Sequence, residues 1–340
     1  MSAAAAAPRV SVLMTLYNKG PWVGEAIRSV LAQIFTDFEL LVVDDASTDG
    51  GLEVARNFDD PRIRILESRV NTGRPAAANR GYDAARGEYV AVLDADDVMH
   101  PERLAKQVTF MDAHRDIAIS GSAYRTTGEN AKQHNWPATD RECRGGLLFG
   151  DPLIYGTSMI RRSVLEAHHL RCNERWLLPG MDYLFILQFS RHGRYANLQE
   201  ALTNYRMGAN NMRHGRDEFA DRLALRRETF RFFGLEASDA ELELHMALHG
   251  LWRKPFDAKA AGALHRWTGK LIQQNREKQL FPADLFEAEV HHRWSRLFHR
   301  FADADLGAAL AHLRLGGNWP MDRLAYLAKT TIRRWSGRAR

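Results

Sequence analysis

The chain has 340 residues, 45% apolar and 26% charged, enough to bury a full core in one large domain with room for an appended piece. That balance excludes intrinsically disordered, collagen-like and disulfide-rich classes, and the two cysteines, Cys143 and Cys172, argue for a reducing compartment, hence the cytoplasm, and against a zinc framework. The formal net charge of +5 is concentrated at the end, where seven Lys or Arg follow Leu313 against the single acid Asp322. Such a tail suits peripheral contact with an anionic membrane, or plain solubility, while so modest a charge without a recognised module argues against nucleic-acid binding.

Ser2 to Pro8 is alanine-rich with no basic residues ahead of it, which reads as a disordered start and not as a secretory signal. Nowhere do about 20 apolar residues run together, so no transmembrane helix is expected. Residues 10–16 read as the first strand, and Pro21 suits the first turn of the helix that follows. In that helix Trp22, Ala26, Ile27, Val30, Leu31 and Ile34 recur at three- and four-residue spacing. A second strand over 38–43 runs into Asp44-Asp45-Ala46-Ser47-Thr48-Asp49, a cluster able to cap the next helix. Residues 62–66 read as a strand, 74–85 as an alanine-rich helix, and 89–93 as a strand closed by Asp94-Ala95-Asp96-Asp97. A helix opens at Pro101, strands are expected over 117–122 and 154–160, and a helix over 180–192. From Phe219 onward only helical spacing recurs, through 244–251, 260–272 and 285–301. The alternation implies an α/β class with a mainly parallel central sheet, followed by an α-helical region. The expected boundaries are a start over 1–8, a catalytic or binding domain over 9–217, and a helical region with a basic tail over 218–340.

Two aspartate groups stand at the carboxyl ends of expected strands, where open α/β sheets place ligands. Any one of them is equally well a helix cap or turn residue. Asp94, Asp96 and Asp97, however, crowd like charges that solvent, a cation or proton uptake must relieve. A hard divalent metal, Mn2+ or Mg2+, would do so, and needs only one or two carboxylates when phosphate and water complete its shell. Bridging a diphosphate leaving group, it acts as a Lewis acid, which suits transfer from a nucleotide-diphosphate sugar. Rival nucleotide folds lack their signatures. Thr15-Leu16-Tyr17-Asn18-Lys19-Gly20 is not G-x-G-x-x-G, and Gly269-Lys270 is followed by Leu271 and not by Ser or Thr.

Four ordered segments carry a resemblance: 10–18 ending in Thr15-Leu16-Tyr17-Asn18, 41–49 with Asp44-Asp45, 71–81 with Asn71-Thr72-Gly73 and Asn79-Arg80-Gly81, and 91–97 with Asp94-Ala95-Asp96. Together, over roughly the first 210 residues, they resemble the inverting family 2 glycosyltransferases, which have the nucleotide-sugar-binding GT-A fold. The resemblance implies that Thr15 and Tyr17, with Asn18 beside them, line the nucleoside pocket, and that Asp44 bonds a base, usually uracil. Asp45 shares that region or caps the helix beginning near Ser47. Asp94-Ala95-Asp96 becomes the Asp-x-Asp motif, with Asp96 the direct metal ligand and Asp94 beside it, while Asp97 orients the loop or caps the following helix. Asp182 matches the family's base, although Met181 replaces the usual glutamate before it. Ala78 stands where relatives often have arginine, a contact left to Arg74 or Arg80, and Met207-Gly208 replaces a frequent histidine, with His214 further on. The implied partners are a UDP-sugar donor and a glycan or lipid-linked saccharide acceptor in cell-surface polysaccharide assembly. The alternative is a non-catalytic sugar-nucleotide-binding scaffold. Oligomeric state is not legible. His245 and His249, four apart, have paired-ligand spacing without a third ligand, and Trp176 lies six residues before Asp182, where relatives shape the acceptor pocket.

Overall fold

The computed structural model describes residues 7–128, 131–207, 216–317 and 319–335. Most of the expected disordered start, His214 and the last residues of the basic tail lie outside the described residues. The chain divides into two compact units, Met1–His214 and Gly215–Arg340.

The first unit is an α/β layer structure. Its strands are β1 (Val10–Leu16), β2 (Phe38–Asp44), β3 (Ile63–Glu67), β4 (Tyr89–Val92), β5 (Val98–Met99), β6 (Ile117–Thr126), β7 (Gln133–His134), β8 (Met159–Arg161) and β9 (Arg194–Tyr205). Its helices are α1 (Gly20–Leu31), α2 (Gly51–Arg56), α3 (Arg74–Ala84), α4 (Arg103–Ala113), α5 (Asp140–Gly145), α6 (Arg162–Ala167) and α7 (Met181–Gln188). The strands form one mixed sheet in the order β3-β2-β1-β4-β8-β6-β9-β5, with β7 on β6. From β3 to β4 the pairing is parallel, as is β6 with β9, and β8 joins the two sets antiparallel to both neighbours. The near-continuous apolar runs of β1 and β2 reflect burial on both faces. Val23, Ala26, Ile27 and Val30 of α1 pack onto one of those faces, the stripe read from the helical spacing.

Two expectations change. The apolar stretch 154–160 is not one strand, because Tyr155–Thr157 forms a turn of 3-10 helix and only β8 is extended. The Thr157 hydroxyl returns to the Ile154 carbonyl at 2.9 Å and the Ser158 hydroxyl to Tyr155 at 2.8 Å, local bonds that compete with a ladder. The long strand β9, with a polar middle, was not expected at all.

The second unit is helical throughout its described residues: α8 (Glu218–Phe233), α9 (Asp239–Ala247), α10 (Ala258–Lys278), α11 (Ala283–Arg296), α12 (Phe298–Ala304), α13 (Leu306–Gly316) and α14 (Met321–Trp335). Asp217, Ser238, Asp257 and Asp305 cap their helices through side-chain oxygens. His245 and His249 place their Nε2 atoms 3.4 Å apart, with His245 ringed by Phe230 and Trp267; they serve as packing. Among the described residues no helix is long and apolar enough to cross a membrane.

Candidate active site

The site forms where β1, β2 and β4 end and their loops converge. Asn18 adopts a positive φ of 49° and its Oδ1 accepts the Thr48 amide at 2.8 Å, tying the loop after β1 to the loop after β2. Asp49 adds a second tie, accepting the amides of Gly20 at 2.7 Å and Gly51 at 3.0 Å. Gly50, not Ser47 or Thr48, occupies the cap position of α2. Thr15 is half-buried at the end of β1, and the Tyr17 ring is 47% exposed, open to a ligand.

The two neighbouring aspartates after β2 face different ways. Asp44 is buried, and its carboxylate accepts the Ala46 and Ser47 amides of its own turn, leaving Oδ1 with a single long 3.4 Å contact. Asp45 does not cap the helix after Ser47. It accepts from the Thr72 hydroxyl at 2.7 Å, the Thr72 amide at 3.0 Å and the Gly73 amide at 2.8 Å, with Arg80 3.3 Å away. Its buried carboxylate therefore fixes the turn that launches α3, where Gly73 needs a positive φ of 88°.

Arg74 opens α3, and its guanidinium reaches Asp94 Oδ1 at 2.6 Å over the face of Tyr155. It lies one helical turn before Ala78, whose side chain is buried in the core, while Arg80 is committed to the Asp44 carbonyl and Asp45. Both arginines near position 78 are thus already paired, Arg74 with Asp94 and Arg80 with Asp45. On the opposite side Lys19 Nζ meets Asp96 Oδ2 at 2.5 Å. Between 22% and 29% of each of these four side chains is exposed.

Asp94-Ala95-Asp96-Asp97 is itself a tight turn, closed by the Asp97 amide on the Asp94 carbonyl at 3.0 Å. Asp97 accepts the Arg206 amide at 2.9 Å, and its Oδ2 is buried with no hydrogen-bond partner. Burial first, then the neighbouring Asp94, pushes its carboxyl up to about 8. It does not cap α4. Gly156 faces both acids: a Cβ there would lie 3.0 Å from Asp94 Oδ2 and 3.7 Å from Asp97 Oδ2. Beneath them Arg103, fully buried, donates to the carbonyls of Val92, Gly156 and Ser158, to Thr203 and to Gln107. Its burial lowers it to about 9, against the pull of Asp97 and Asp94.

Asp182 sits in the first turn of α7, after Gly180 at a positive φ of 97°. Asn79 clamps the preceding loop by bonding the Cys172 amide and carbonyl and Glu174. Phe185 stacks on Tyr82 at 5.1 Å and meets the Tyr155 ring edge-on, while the two tyrosine hydroxyls share a 2.7 Å bond. This packing brings Asp182 within electrostatic reach of Arg74 and Asp94. Arg74 is pushed up by Asp94 first and then by Asp182, and Asp94 is raised by burial, opposed by Arg74 and reinforced by Asp96 and Asp182. Met181 is buried where a second acid would stand. Trp176 is half-buried and bonds the Pro179 carbonyl, and Leu177 beside it is 65% exposed.

Sequence reasoning gathered the carboxylates but missed Lys19, Arg103, Gly156 and Arg206. Among the described residues no group of three or more His, Cys, Asp or Glu is arranged to hold a metal. Two carboxylates nevertheless suffice for a cation completed by phosphate and water. Asp94 Oδ2 and Asp96 Oδ1 receive no hydrogen bond from the described residues, which leaves one oxygen of each carboxylate open to a cation. The hard-oxygen donor set fits Mg2+ or Mn2+.

The mixed, mostly parallel sheet with paired carboxylates at its strand ends, Lys19 and Arg74 beside them, and Asp182 on α7 is an architecture of the GT-A type. The comparisons place it further: residues 11–168 match the family described as Glycosyl transferase family 2, and the chain belongs to that family. EpsE of Bacillus subtilis (strain 168), a glycosyltransferase by name, is 33% identical over 203 residues, covering 58% of this chain and 73% of that protein. The succinoglycan biosynthesis protein ExoO of Rhizobium meliloti (strain 1021) is 39% identical over 194 residues, covering 53% and 55%. The fold is similar to S. aureus TarS in complex with UDP, with a TM-score of 0.56 at 17% identity over 92% of both chains. It is also similar to the mannosyltransferase PcManGT from Pyrobaculum calidifontis in complex with GDP-Man and Mn2+, with a TM-score of 0.51 at 18% identity over 97% and 87%. Inverting transfer is general to family 2.

Proposed function

We propose that the protein transfers a hexose from a UDP-sugar, with Mn2+ or Mg2+, to a glycan or lipid-linked saccharide of a cell-surface polysaccharide. The observation that carries this reading is the convergence of Lys19–Asp96, Arg74–Asp94 and the charge of Asp182 at the ends of β1 and β4. Relatives named for UDP binding and for succinoglycan biosynthesis support the donor and the pathway. Thr15, Tyr17 and Asn18 would receive the nucleoside, and Asp44 Oδ1 the base. Asp96 and Asp94 would hold the metal, which supplies Lewis-acid neutralisation of the leaving diphosphate. Lys19 and Arg74 stand ready to contact the same phosphates.

Asp182 acts as general base. It takes the proton of the acceptor hydroxyl while that oxygen attacks the anomeric carbon opposite the diphosphate, and the configuration inverts. A weak base suffices when proton transfer is late and the geometry is fixed, and this reading is supported by the Asn79 clamp on the loop before α7 and by the Tyr82–Tyr155–Phe185 packing that holds α7 itself. Titration with UDP, with and without manganese, tests the donor half: metal-dependent binding is expected in the native protein and its loss in Asp96→Ala. Asp182→Asn is expected to abolish transfer with UDP affinity nearly unchanged; full activity would move the base elsewhere. The buried Met181 favours one alternative, a sugar-nucleotide-binding scaffold, for which tight UDP binding with neither donor hydrolysis nor transfer would be the signature.

Peripheral attachment to an anionic membrane belongs to the same proposal. Met321, Ala325, Ala328 and Ile332 follow helical spacing on the exposed side of α14, flanked by exposed Lys329 and Arg333.

A further inference from the structure

Both assigned metal ligands already carry a cation. Lys19 Nζ lies 2.5 Å from Asp96 Oδ2 and Arg74 2.6 Å from Asp94 Oδ1. The two cations come from different strand-to-helix loops. Lys19 occupies the N-cap position of α1 without capping it through its side chain, and Arg74 begins α3, so each stands at a helix N-terminus, where an anion is favoured. Each also lies over an aromatic face, Lys19 5.4 Å from the Trp22 ring and Arg74 5.4 Å from the Tyr155 ring. A divalent cation entering alone would meet two positive charges already bonded to its ligands. A diphosphate removes that obstacle by offering both cations oxygens of higher charge.

We infer that Lys19 and Arg74 form a counter-ion lock on the metal ligands. In the empty site they neutralise Asp96 and Asp94 and hold a free divalent cation off. The donor's diphosphate draws them away from the carboxylates, so that nucleotide and metal bind as a coupled pair. The inference rests on the assignment of Asp94 and Asp96 as the metal ligands. It also accounts for two partly exposed acid–base pairs in a cleft that must be stable both empty and filled.

Mn2+ binding to the full chain, followed by the loss of the free-ion electron paramagnetic resonance signal, tests the lock with and without UDP. In the native protein UDP is expected to tighten Mn2+ by at least about tenfold, and by reciprocity Mn2+ tightens UDP equally. Lys19→Met is expected to raise nucleotide-free Mn2+ affinity by about fivefold, the worth of a partly exposed ion pair, and to shrink the tightening by UDP by a similar factor. Arg74→Met should move both quantities in the same direction, and far-ultraviolet circular dichroism checks that each variant is folded. Native-like Mn2+ affinity in nucleotide-free Lys19→Met and Arg74→Met overturns the lock while leaving the proposed transferase standing. Retention of UDP-coupled Mn2+ binding in Asp96→Asn overturns the ligand assignment and the lock with it. If UDP affects no variant, the donor reading fails, and the nucleotide-free comparison still decides the lock.

Discussion

Arg103 is the side chain on which the floor of the site depends, and Arg103→Met is the most direct perturbation of it. Methionine keeps the length and apolar stem but removes five hydrogen bonds, made to three backbone carbonyls, Thr203 and Gln107. The Ser158 carbonyl keeps the Val92 amide at 2.9 Å. The Gly156 carbonyl has no second donor among the described residues, and each orphaned buried group costs about 1–3 kcal/mol. Relief from desolvating a fully buried cation offsets part of this. The balance is a destabilisation of about 3–4 kcal/mol, close to the usual cost of removing one partner from a buried charged network. Urea unfolding at pH 7 measures it, with an unchanged slope expected if only the native state is affected. Because Arg103 also holds the backbone of Gly156 against the acidic turn, Mn2+-dependent UDP affinity should fall in the fraction that remains folded. A loss below about 1 kcal/mol, the range of ordinary surface substitutions, would refute the assignment of Arg103 as the floor.

Three further outcomes are expected. Gly156→Ala places a methyl 3.0 Å from Asp94 Oδ2; displacing that carboxylate by a few tenths of an ångström should weaken Mn2+-dependent UDP binding by about fivefold, with thermal stability preserved, and native-like binding would show that the contact is slack. His312 is buried against Trp294, and burial lowers it from 6.5 to about 4. Its depressed value means that the neutral form is favoured in the fold, so this stability is present above pH 6.5 and is lost as pH falls towards 4. The loss amounts to about 3 kcal/mol. His312→Phe should flatten the urea midpoint across that window, and an unchanged slope would place the titration elsewhere. The full chain should sediment with vesicles containing anionic phosphatidylglycerol and not with pure phosphatidylcholine. Met321→Glu with Ile332→Glu should reduce that binding by more than about tenfold, since each buried apolar side chain contributes about 1.5–3 kcal/mol; equal sedimentation of native and double variant would dismiss the α14 face.

The parts of the fold that were legible in the sequence are those with a strong period or a continuous apolar run. β1 and β2 are buried on both faces and read as unbroken apolar segments, and α1 carries a full helical stripe. β9 escaped because Gln199 and Glu200 interrupt its alternation where β6 and β9 shift register, so no period of two survives. At the site, the carboxylates were visible because like charges in one short turn demand an explanation. Their cations were not, since Lys19 and Arg74 come from loops 55 residues apart in sequence and only the parallel order β2-β1-β4 sets them on either side of Asp94 and Asp96. Asp45 illustrates the opposite failure: its motif was plain, but whether it faced a ligand, α2 or the turn before α3 depended on a contact with Thr72 and Gly73 across 27 and 28 residues.

The segment 154–160 shows why local apolarity misled and what the departure achieves. Had it continued as a strand from Ile154, Tyr155 and Gly156 would have been spent on ladder pairing, with alternate side chains sent to opposite faces. The 3-10 turn instead places Tyr155 beneath Arg74 and against Tyr82, and Gly156 beside Asp94 and Asp97, before β8 resumes pairing with β4 at Ala91. One irregular turn thereby links the arginine at the start of α3, the acidic loop after β4 and, through Phe185, the helix that carries Asp182. Backbone regularity is given up at the point where three loops must be held in register. A substitution that restored strand propensity there, such as Gly156→Val, would therefore damage the site even where it improved the local β signal: its Cβ would already meet the Asp94 carboxylate at 3.0 Å, before its two methyl groups are counted.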